Sequence, residues 1–222
     1  MRAQGKKAES DRLPDYYETV VQDVLDYVDG CEGVWLDVGS GAGGVGLALA
    51  RRQGGVVILL DPNADALGRG LERARQAGLG GRVVAVVGTV EHLALPDGSV
   101  DAAVSRGSFF FWDDRAGGLR EIYRVLRPGG KAMIGGGLGR RYPRWARREF
   151  IRRRRAGVAE KGPGALRRFR EARSPATFRR LATEAELPAF EVLGEGGLGP
   201  DHPDVGLGIW LRFCKETTDE PR

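Results

Sequence analysis

Val34-Trp35-Leu36-Asp37-Val38-Gly39-Ser40-Gly41-Ala42-Gly43-Gly44 joins a short apolar run to a glycine-rich turn, and the residues after it, through Leu47, Leu49 and Ala50, read as a helix. A strand that ends in glycines and opens a helix is the setting in which such a turn binds a nucleotide-like ligand. Glycine permits the tight bend and lets a ligand touch the backbone. Gly39, Gly41 and Gly44 also fit the dinucleotide fingerprint literally. A dinucleotide, however, brings an anionic pyrophosphate to the turn, and Asp37 would repel it. S-adenosylmethionine has no phosphate and carries an ammonium and a sulfonium, which suit a carboxylate. Asp61, at the end of the apolar run Val56-Val57-Ile58-Leu59-Leu60, can accept from the ribose hydroxyls of either cofactor. The turn therefore favours S-adenosylmethionine over a nicotinamide cofactor, while Asp61 supports a nucleoside without choosing.

Working outward, short apolar runs alternate with helical patterns, the mark of a parallel α/β sheet. An amphipathic helix is expected from about Asp15 to Asp29. Strands are expected at Val34–Val38, Val56–Leu60, Val83–Val87, Val100–Ser105, Lys131–Gly135, Phe190–Leu193 and Gly206–Phe213. Helices are expected at Asn63–Ala77, Arg115–Leu126, and from Ser174-Pro175 to about Leu187. Pro128-Gly129-Gly130 should stop the second of these. Between Gly139 and Arg173 lie one or two helices, broken at Gly157 and at Gly162-Pro163-Gly164. The tail 215–222 is expected to be disordered.

Length and composition bound the function classes. The 222 residues suit one ordinary domain, and a 41% hydrophobic content excludes general disorder. No apolar run approaches the ~20 residues of a membrane helix, and Met1 to Asp15 does not read as a secretory signal. Cys31 and Cys214 give neither a disulfide framework nor a metal spacing. A cytoplasmic protein without a metal is the expectation. The net charge of +5 is unevenly placed: residues 140–180 hold 15 Arg and Lys161 against Glu149, Glu160 and Glu171, so +13. The remainder is acidic. Such a segment suggests an anionic partner, a self-interface, or a solvated helical face.

The ordered motifs resemble those of class I S-adenosylmethionine-dependent methyltransferases, close to the ubiquinone/menaquinone-biosynthesis type (methyltransferase type 11). The resemblance rests on Leu36 to Gly43, Leu60-Asp61-Pro62-Asn63, Glu91-His92-Leu93-Ala94-Leu95-Pro96-Asp97-Gly98-Ser99-Val100-Asp101, Ala103-Val104-Ser105, and Glu121-Ile122-Tyr123-Arg124-Val125-Leu126-Arg127-Pro128-Gly129-Gly130. It covers about Val34 to Gly137, with a weaker match from Ser174 to Phe213. It implies a Rossmann-like, mostly parallel seven-stranded sheet of order 3-2-1-4-5-7-6, with strand seven antiparallel and helices on both faces. It also implies an N-terminal cap helix in 1–30 and a catalytic domain over 31–214 with an Arg-rich insertion at 139–173. Asp37, Gly39, Gly41, Asp61, Pro62, Thr89, Val90, Glu91, Ser105 and Tyr17 become the expected cofactor contacts, with S-adenosylhomocysteine as product. Thr89 and Val90 depart from the family's usual acid followed by a small residue, so an acid contact to the adenine amine is lost.

Ligands of open α/β sheets sit beyond the carboxyl ends of the strands. That selects the run Ser105-Arg106-Gly107-Ser108-Phe109-Phe110-Phe111-Trp112, the Arg-rich insertion, and the loop before strand seven. Consecutive aromatics cannot all face one core, so Arg106, Ser108, Phe109, Phe110 and Trp112 are expected to contact substrate. Methyl transfer needs a general base only if the nucleophile must lose a proton. His202, as base, or Arg106 is the expected catalytic residue; His92, Glu195 and Asp201 are weaker candidates. The expected reaction is methyl transfer to a small anionic or aromatic metabolite by a monomer or homodimer. An RNA methyltransferase using residues 140–180 is the alternative, less favoured because no dedicated RNA-binding motif and no aromatic interleaving are read among the arginines. A nicotinamide-dependent oxidoreductase and a non-catalytic S-adenosylmethionine-binding protein remain open.

Overall fold

The apolar runs become seven strands of one sheet. A computed structural model describes residues 13–29, 32–194 and 208–217. In chain order the strands are β1 (Val34–Val38), β2 (Val56–Asp61), β3 (Val83–Val87), β4 (Val100–Arg106), β5 (Leu126–Gly136), β6 (Phe190–Gly194) and β7 (Ile209–Cys214). The helices are α1 (Tyr17–Val28), α2 (Gly44–Arg52), α3 (Ala64–Gln76), α4 (Arg115–Val125), α5 (Arg144–Ala159), α6 (Ala165–Glu171) and α7 (Pro175–Glu184). The sheet order is β3-β2-β1-β4-β5-β7-β6. β1 to β5 pair in parallel, and β7 runs antiparallel to both β5 and β6. The order implied by the resemblance is therefore the one observed.

Alternation along the strands splits the core into two layers, because successive side chains leave a strand on opposite faces. Leu36, Val38, Ile58 and Leu60 join Phe109, Leu119, Ile122 and Phe178 on one face. Trp35, Val57, Leu59 and Val104 join Val20, Val24, Leu47 and Leu67 on the other. The central strands are apolar on both sides, as a sheet covered by helices requires. Helix starts are capped from the sequence: Asn63 accepts from the Ala66 amide at 3.0 Å, Asp114 from Gly117 at 2.8 Å, and Ser174 from Thr177 at 3.1 Å.

Two local expectations are corrected. β5 begins at Leu126, not Lys131. Val100 pairs with Leu126 and Ala102 with Lys131, so Arg127 to Gly130 bulge out between two paired stretches instead of ending the strand. Gly157 does not break α5, which runs to Ala159. A single helical glycine costs only about 1 kcal/mol, and the buried Val158 beside it holds the last turn to the protein. The break falls at Gly162-Pro163-Gly164. β7 is described from Ile209; Gly206 lies outside the described residues.

α1 is tied to the chain leaving β5. Thr19 Oγ1 donates to the Leu138 carbonyl, the Arg140 amide donates to Asp23 Oδ2 at 2.7 Å, and Tyr142 Oη donates to the Pro14 carbonyl at 3.0 Å. These bonds set the N-terminal helix over the same end of the sheet as the glycine turn.

Candidate functional site

The glycine turn is held from below. Gly39 and Ser40 both donate to the Leu60 carbonyl, at 2.8 and 2.9 Å, and Gly43 donates to the Ser40 carbonyl at 2.9 Å. Gly41 donates to Asp61 Oδ2 at 2.8 Å, and Asp61 Oδ1 accepts from Asn63 at 2.9 Å. Asp37 Oδ2 accepts the Gly46 amide at 2.7 Å, in the first turn of α2. These amides point into the protein, so they form no outward nest for a pyrophosphate. The carboxylate of Asp37 already occupies the helix start that a phosphate would need.

Asp37 is buried, and desolvation pushes its carboxyl up to about 7, with the Asp61 charge acting in the same sense. A cation placed near it reverses that cost. Gly41 has φ +54°, and nothing lies within 4 Å of where its Cβ would stand, so the turn presents open space there. Gly39 has φ +67°, and a Cβ would meet the Ser108 side chain at 2.2 Å. The turn thus packs on β4's exit at one glycine and opens toward a ligand at the other. Ser40 Oγ is buried with no protein partner, an orphaned polar atom beside the opening. The donor set fits S-adenosylmethionine: a nearby carboxylate for its cations, Asp61 for its ribose, and a glycine cradle free of side chains.

The other expected cofactor residues surround this turn. The Tyr17 ring lies against Gly44, where a Cβ would be 2.3 Å from the ring, and burial pushes its hydroxyl up to about 12. Pro62 is exposed beside Asp61. After β3, Thr89 is exposed, whereas the Val90 side chain is buried in the core, leaving only its backbone to face a ligand. Glu91 Oε1 accepts the Asp113 amide at 3.0 Å and joins the loops after β3 and β4. His92 is exposed and borders Glu121. His202, Glu195 and Asp201 lie outside the described residues.

The run after β4 divides its roles. Phe109 is fully buried, ring against Phe178 at 4.9 Å and Trp112 at 5.0 Å. It belongs to the core and not, as expected, to the substrate contacts. Trp112 packs on Phe109 and above Gly118, and it is not among the residues lining the cavity described next. Ser108 Oγ donates to the Val38 carbonyl at 2.8 Å and accepts from Trp112 Nε1 at 3.2 Å. With its single proton used, it takes the Ser105 hydroxyl proton at 2.6 Å. Its hydrogen-bonding capacity is spent inside the protein, which removes it as a polar substrate contact although it borders the cavity. Ser105 is buried in that same network.

A cavity of about 540 Å³ opens between the glycine turn and the Arg-rich helices. Gly39 forms one edge; Arg106, Gly107 and Phe110 come from the exit of β4, and Gly136, Gly137 and Leu138 from the exit of β5. Phe150, Ile151 and Arg154 of α5, with Phe169 of α6 and Arg173, close the far wall. Tyr16 and the exposed Phe111 complete it. Arg106 Nε donates to the Gly137 carbonyl at 3.0 Å, and its guanidinium lies 3.8 Å from the Tyr16 ring centre. The Arg-rich segment does interleave aromatics, contrary to the expectation: Phe169 stands between Arg168 and Arg170 and stacks on Arg173 at 3.8 Å. Phe111, Phe150, Ile151, Phe169, Arg154 and Arg173 were not singled out as site residues by the sequence. The only sequence signal for the last five was their place in a segment expected beyond the end of strand five.

Among the described residues no helix is long and apolar enough to cross a membrane, and no His/Cys/Asp/Glu group could hold a metal.

Comparison with known proteins agrees with this geometry. Residues 36–134 match a family model described as a methyltransferase domain. A ubiquinone/menaquinone biosynthesis C-methyltransferase of Enterobacter sp. is 34% identical over 101 residues, 45% of this chain and 40% of that protein. A chloroplastic 2-methyl-6-phytyl-1,4-hydroquinone methyltransferase of Oryza sativa is 38% identical over 102 residues, 45% of this chain and 28% of that protein. The matches thus span less than half the length of these relatives. A crystal structure of a putative S-adenosylmethionine-dependent methyltransferase from Methanococcus maripaludis superposes over 100% of both chains, with TM-score 0.74 and 26% identity. One from Aquifex aeolicus covers 90% of this chain and 92% of its own, with TM-score 0.63 and 21% identity, and shares the fold.

Proposed function

We propose that the chain is a class I S-adenosylmethionine-dependent methyltransferase, as the match of residues 36–134 and the shared fold support, and that it methylates a small anionic or aromatic molecule seated in the 540 Å³ cavity. The observation that carries the reading is the shared edge at Gly39. This residue belongs to the turn that fits the cofactor and also lines the cavity, so donor and acceptor meet there. S-adenosylmethionine, when bound, supplies an electrophilic methyl group on a good leaving group, so orientation supplies much of the rate.

The chain's own residues do the orienting. Asp61 stiffens the turn through Gly41 and offers its remaining lone pairs to a ribose. Asp37, buried under the turn, becomes ionised as a cation binds nearby. Phe110, Phe111 and Phe150 wall the acceptor with apolar faces and limit water around the reacting atoms. Arg106, fixed by Gly137 and Tyr16, directs a cation into the cavity. The quinone-type methyltransferases among the relatives act on small molecules by their names, which supports this acceptor class.

RNA is the less favoured acceptor. Arg106, Arg154 and Arg173 are used around a concave cavity, and Arg152 and Arg153 of the outer face are paired with Glu149 at 2.6 Å. A nicotinamide cofactor is opposed by the inward amides and by Asp37. The test is calorimetry with S-adenosylmethionine and S-adenosylhomocysteine, followed by transfer of a radiolabelled methyl group into fractionated cell extract. The expected result is saturable binding, with label in the low-mass fraction. No binding overturns the reading, and label confined to RNA moves the acceptor to the alternative. Tighter binding of NADH than of S-adenosylmethionine overturns the choice of cofactor.

A further inference from the structure

We infer that the acceptor carries an oxyanion, a carboxylate or a phosphate on an apolar or aromatic body, and that Arg173 and Arg154 grip it. The inference rests on the methyl-transfer reading above and specifies its substrate.

Arg173 is placed as an anion receptor. Its guanidinium lies 3.6 Å from the Phe110 ring centre and 3.8 Å from that of Phe169. Two aromatic rings therefore lie within stacking distance of the guanidinium carbon. The N–H donors point from the edge of the guanidinium plane. That edge has no protein partner: among the described residues no carboxylate pairs with Arg173, and its guanidinium donates no hydrogen bond. Other arginines of the chain behave differently. Arg124 binds Glu121 and Asp97, and Arg152 binds Glu149. A cation half-removed from water without a counter-ion costs free energy unless something compensates.

Its surroundings increase the demand for an anion. Desolvation pulls the Arg173 guanidinium down to about 10, and the positive charges of Arg154 and Arg115 act in the same sense. Arg154 also lies over the Phe169 ring, its guanidinium carbon 5.7 Å from the ring centre. Arg106, Arg154 and Arg173 all border the one cavity, and none of the described residues lining it is acidic. An oxyanion entering there would meet a fork already fixed by stacking, with little side-chain entropy left to lose. The wall of Phe111, Phe150, Ile151 and Leu138 then fits the apolar body of the same molecule. A neutral quinone ring alone would leave the three cations unanswered.

The test is titration calorimetry on the full chain saturated with S-adenosylhomocysteine, using three matched probes: 2-naphthoate, 2-naphthyl phosphate and the neutral 2-naphthamide. The expected result is that at least one anion binds at least about tenfold tighter than the amide. Arg173→Met and Arg154→Met should each reduce that preference severalfold, with S-adenosylhomocysteine affinity kept within about twofold. Arg152→Met, outside the cavity, should leave the preference intact. Which anion binds more tightly distinguishes a carboxylate acceptor from a phosphate one. Equal binding of anions and amide, or no probe binding at all beside normal S-adenosylhomocysteine binding, overturns the inference. So does loss of the preference in Arg152→Met to the same degree, which would mean a general surface field. If Arg173→Met fails to fold, the exposed Arg154 carries the same comparison, and a full preference in its variant overturns the grip. Failure to bind S-adenosylhomocysteine is a different result and overturns the cofactor reading instead.

Discussion

Asp61 Oδ2 accepts the Gly41 amide at 2.8 Å, so the carboxylate at the end of β2 clamps the turn at the end of β1. This side chain fixes the turn, and in the proposed function its remaining lone pairs take the ribose. Asp61→Ala should weaken S-adenosylmethionine binding at least about tenfold, or ~1.4 kcal/mol. Asp61→Asn, which keeps one acceptor oxygen, should fall between. Calorimetry on both reads the effect. An Ala variant that binds within twofold of the parent takes Asp61 out of the cofactor site.

The two glycines of the turn should respond differently to a methyl group. Gly39→Ala puts a Cβ 2.2 Å from that of Ser108, at φ +67°. Strain and overpacking should cost at least about 2 kcal/mol of stability. Gly41→Ala meets nothing within 4 Å, so the fold should lose only about 1–2 kcal/mol from its left-handed backbone. Its methyl group projects into the space left for the ligand, and binding should drop more than about tenfold. Urea unfolding and ligand titration together separate the two. Equal stability losses would contradict the packing described for Gly39.

Asp37 makes the free protein's stability depend on pH. Its folded-state value is about 7 against 3.8 for an unperturbed carboxyl. The folded state holds the proton more tightly, so Asp37's contribution is fully present below 3.8. It is lost progressively as pH rises toward about 7, then levels off. Asp37→Asn should flatten that part of the profile while still accepting from Gly46. A bound cation favours the ionised form, so S-adenosylmethionine affinity should rise through the same window in the parent more than in the Asn variant. Parallel binding profiles would place Asp37 outside the cofactor's field.

Ser108 and Phe110 offer a contrast between a supporting and a contacting residue. Ser108→Ala leaves the Val38 carbonyl, the Ser105 hydroxyl and Trp112 Nε1 without their common partner. Denaturant unfolding should register about 1–3 kcal/mol, with KM for the acceptor little changed. Phe110→Ala should raise that KM severalfold, because it removes a cavity wall and one face of the Arg173 stack. An acceptor KM that moves more for Ser108→Ala than for Phe110→Ala reverses the assignment.

The strands were legible because each is a short apolar run bounded by glycine, proline or a capping residue, a pattern that depends on neighbours in sequence. The same holds for the turn at Gly39 to Gly44 and for Asp61, whose roles follow from lying at strand ends. The order of the strands in the sheet came only from the family resemblance, because pairing across the sheet is not a local property. Phe109 illustrates the limit. Four consecutive aromatics announce that their side chains must part company, but only Phe178, arriving from α7, decides that Phe109 is the one in the core.

By itself, then, the amino-acid order determined an α/β sheet with a carboxylate-flanked glycine turn and a cationic segment beyond strand five. Local periodicity and turn chemistry act over a few residues, and they suffice for that. Only the tertiary structure decided that Phe110, from the exit of β4, meets Arg173, some 60 residues later, and that Phe169 stacks on the same guanidinium. It also decided that, among the described residues, Arg173 has no carboxylate partner whereas Arg124 has two. Such pairings depend on which helices pack together across the sheet end, and α5 carries too little of an apolar stripe to announce which of its arginines turn inward.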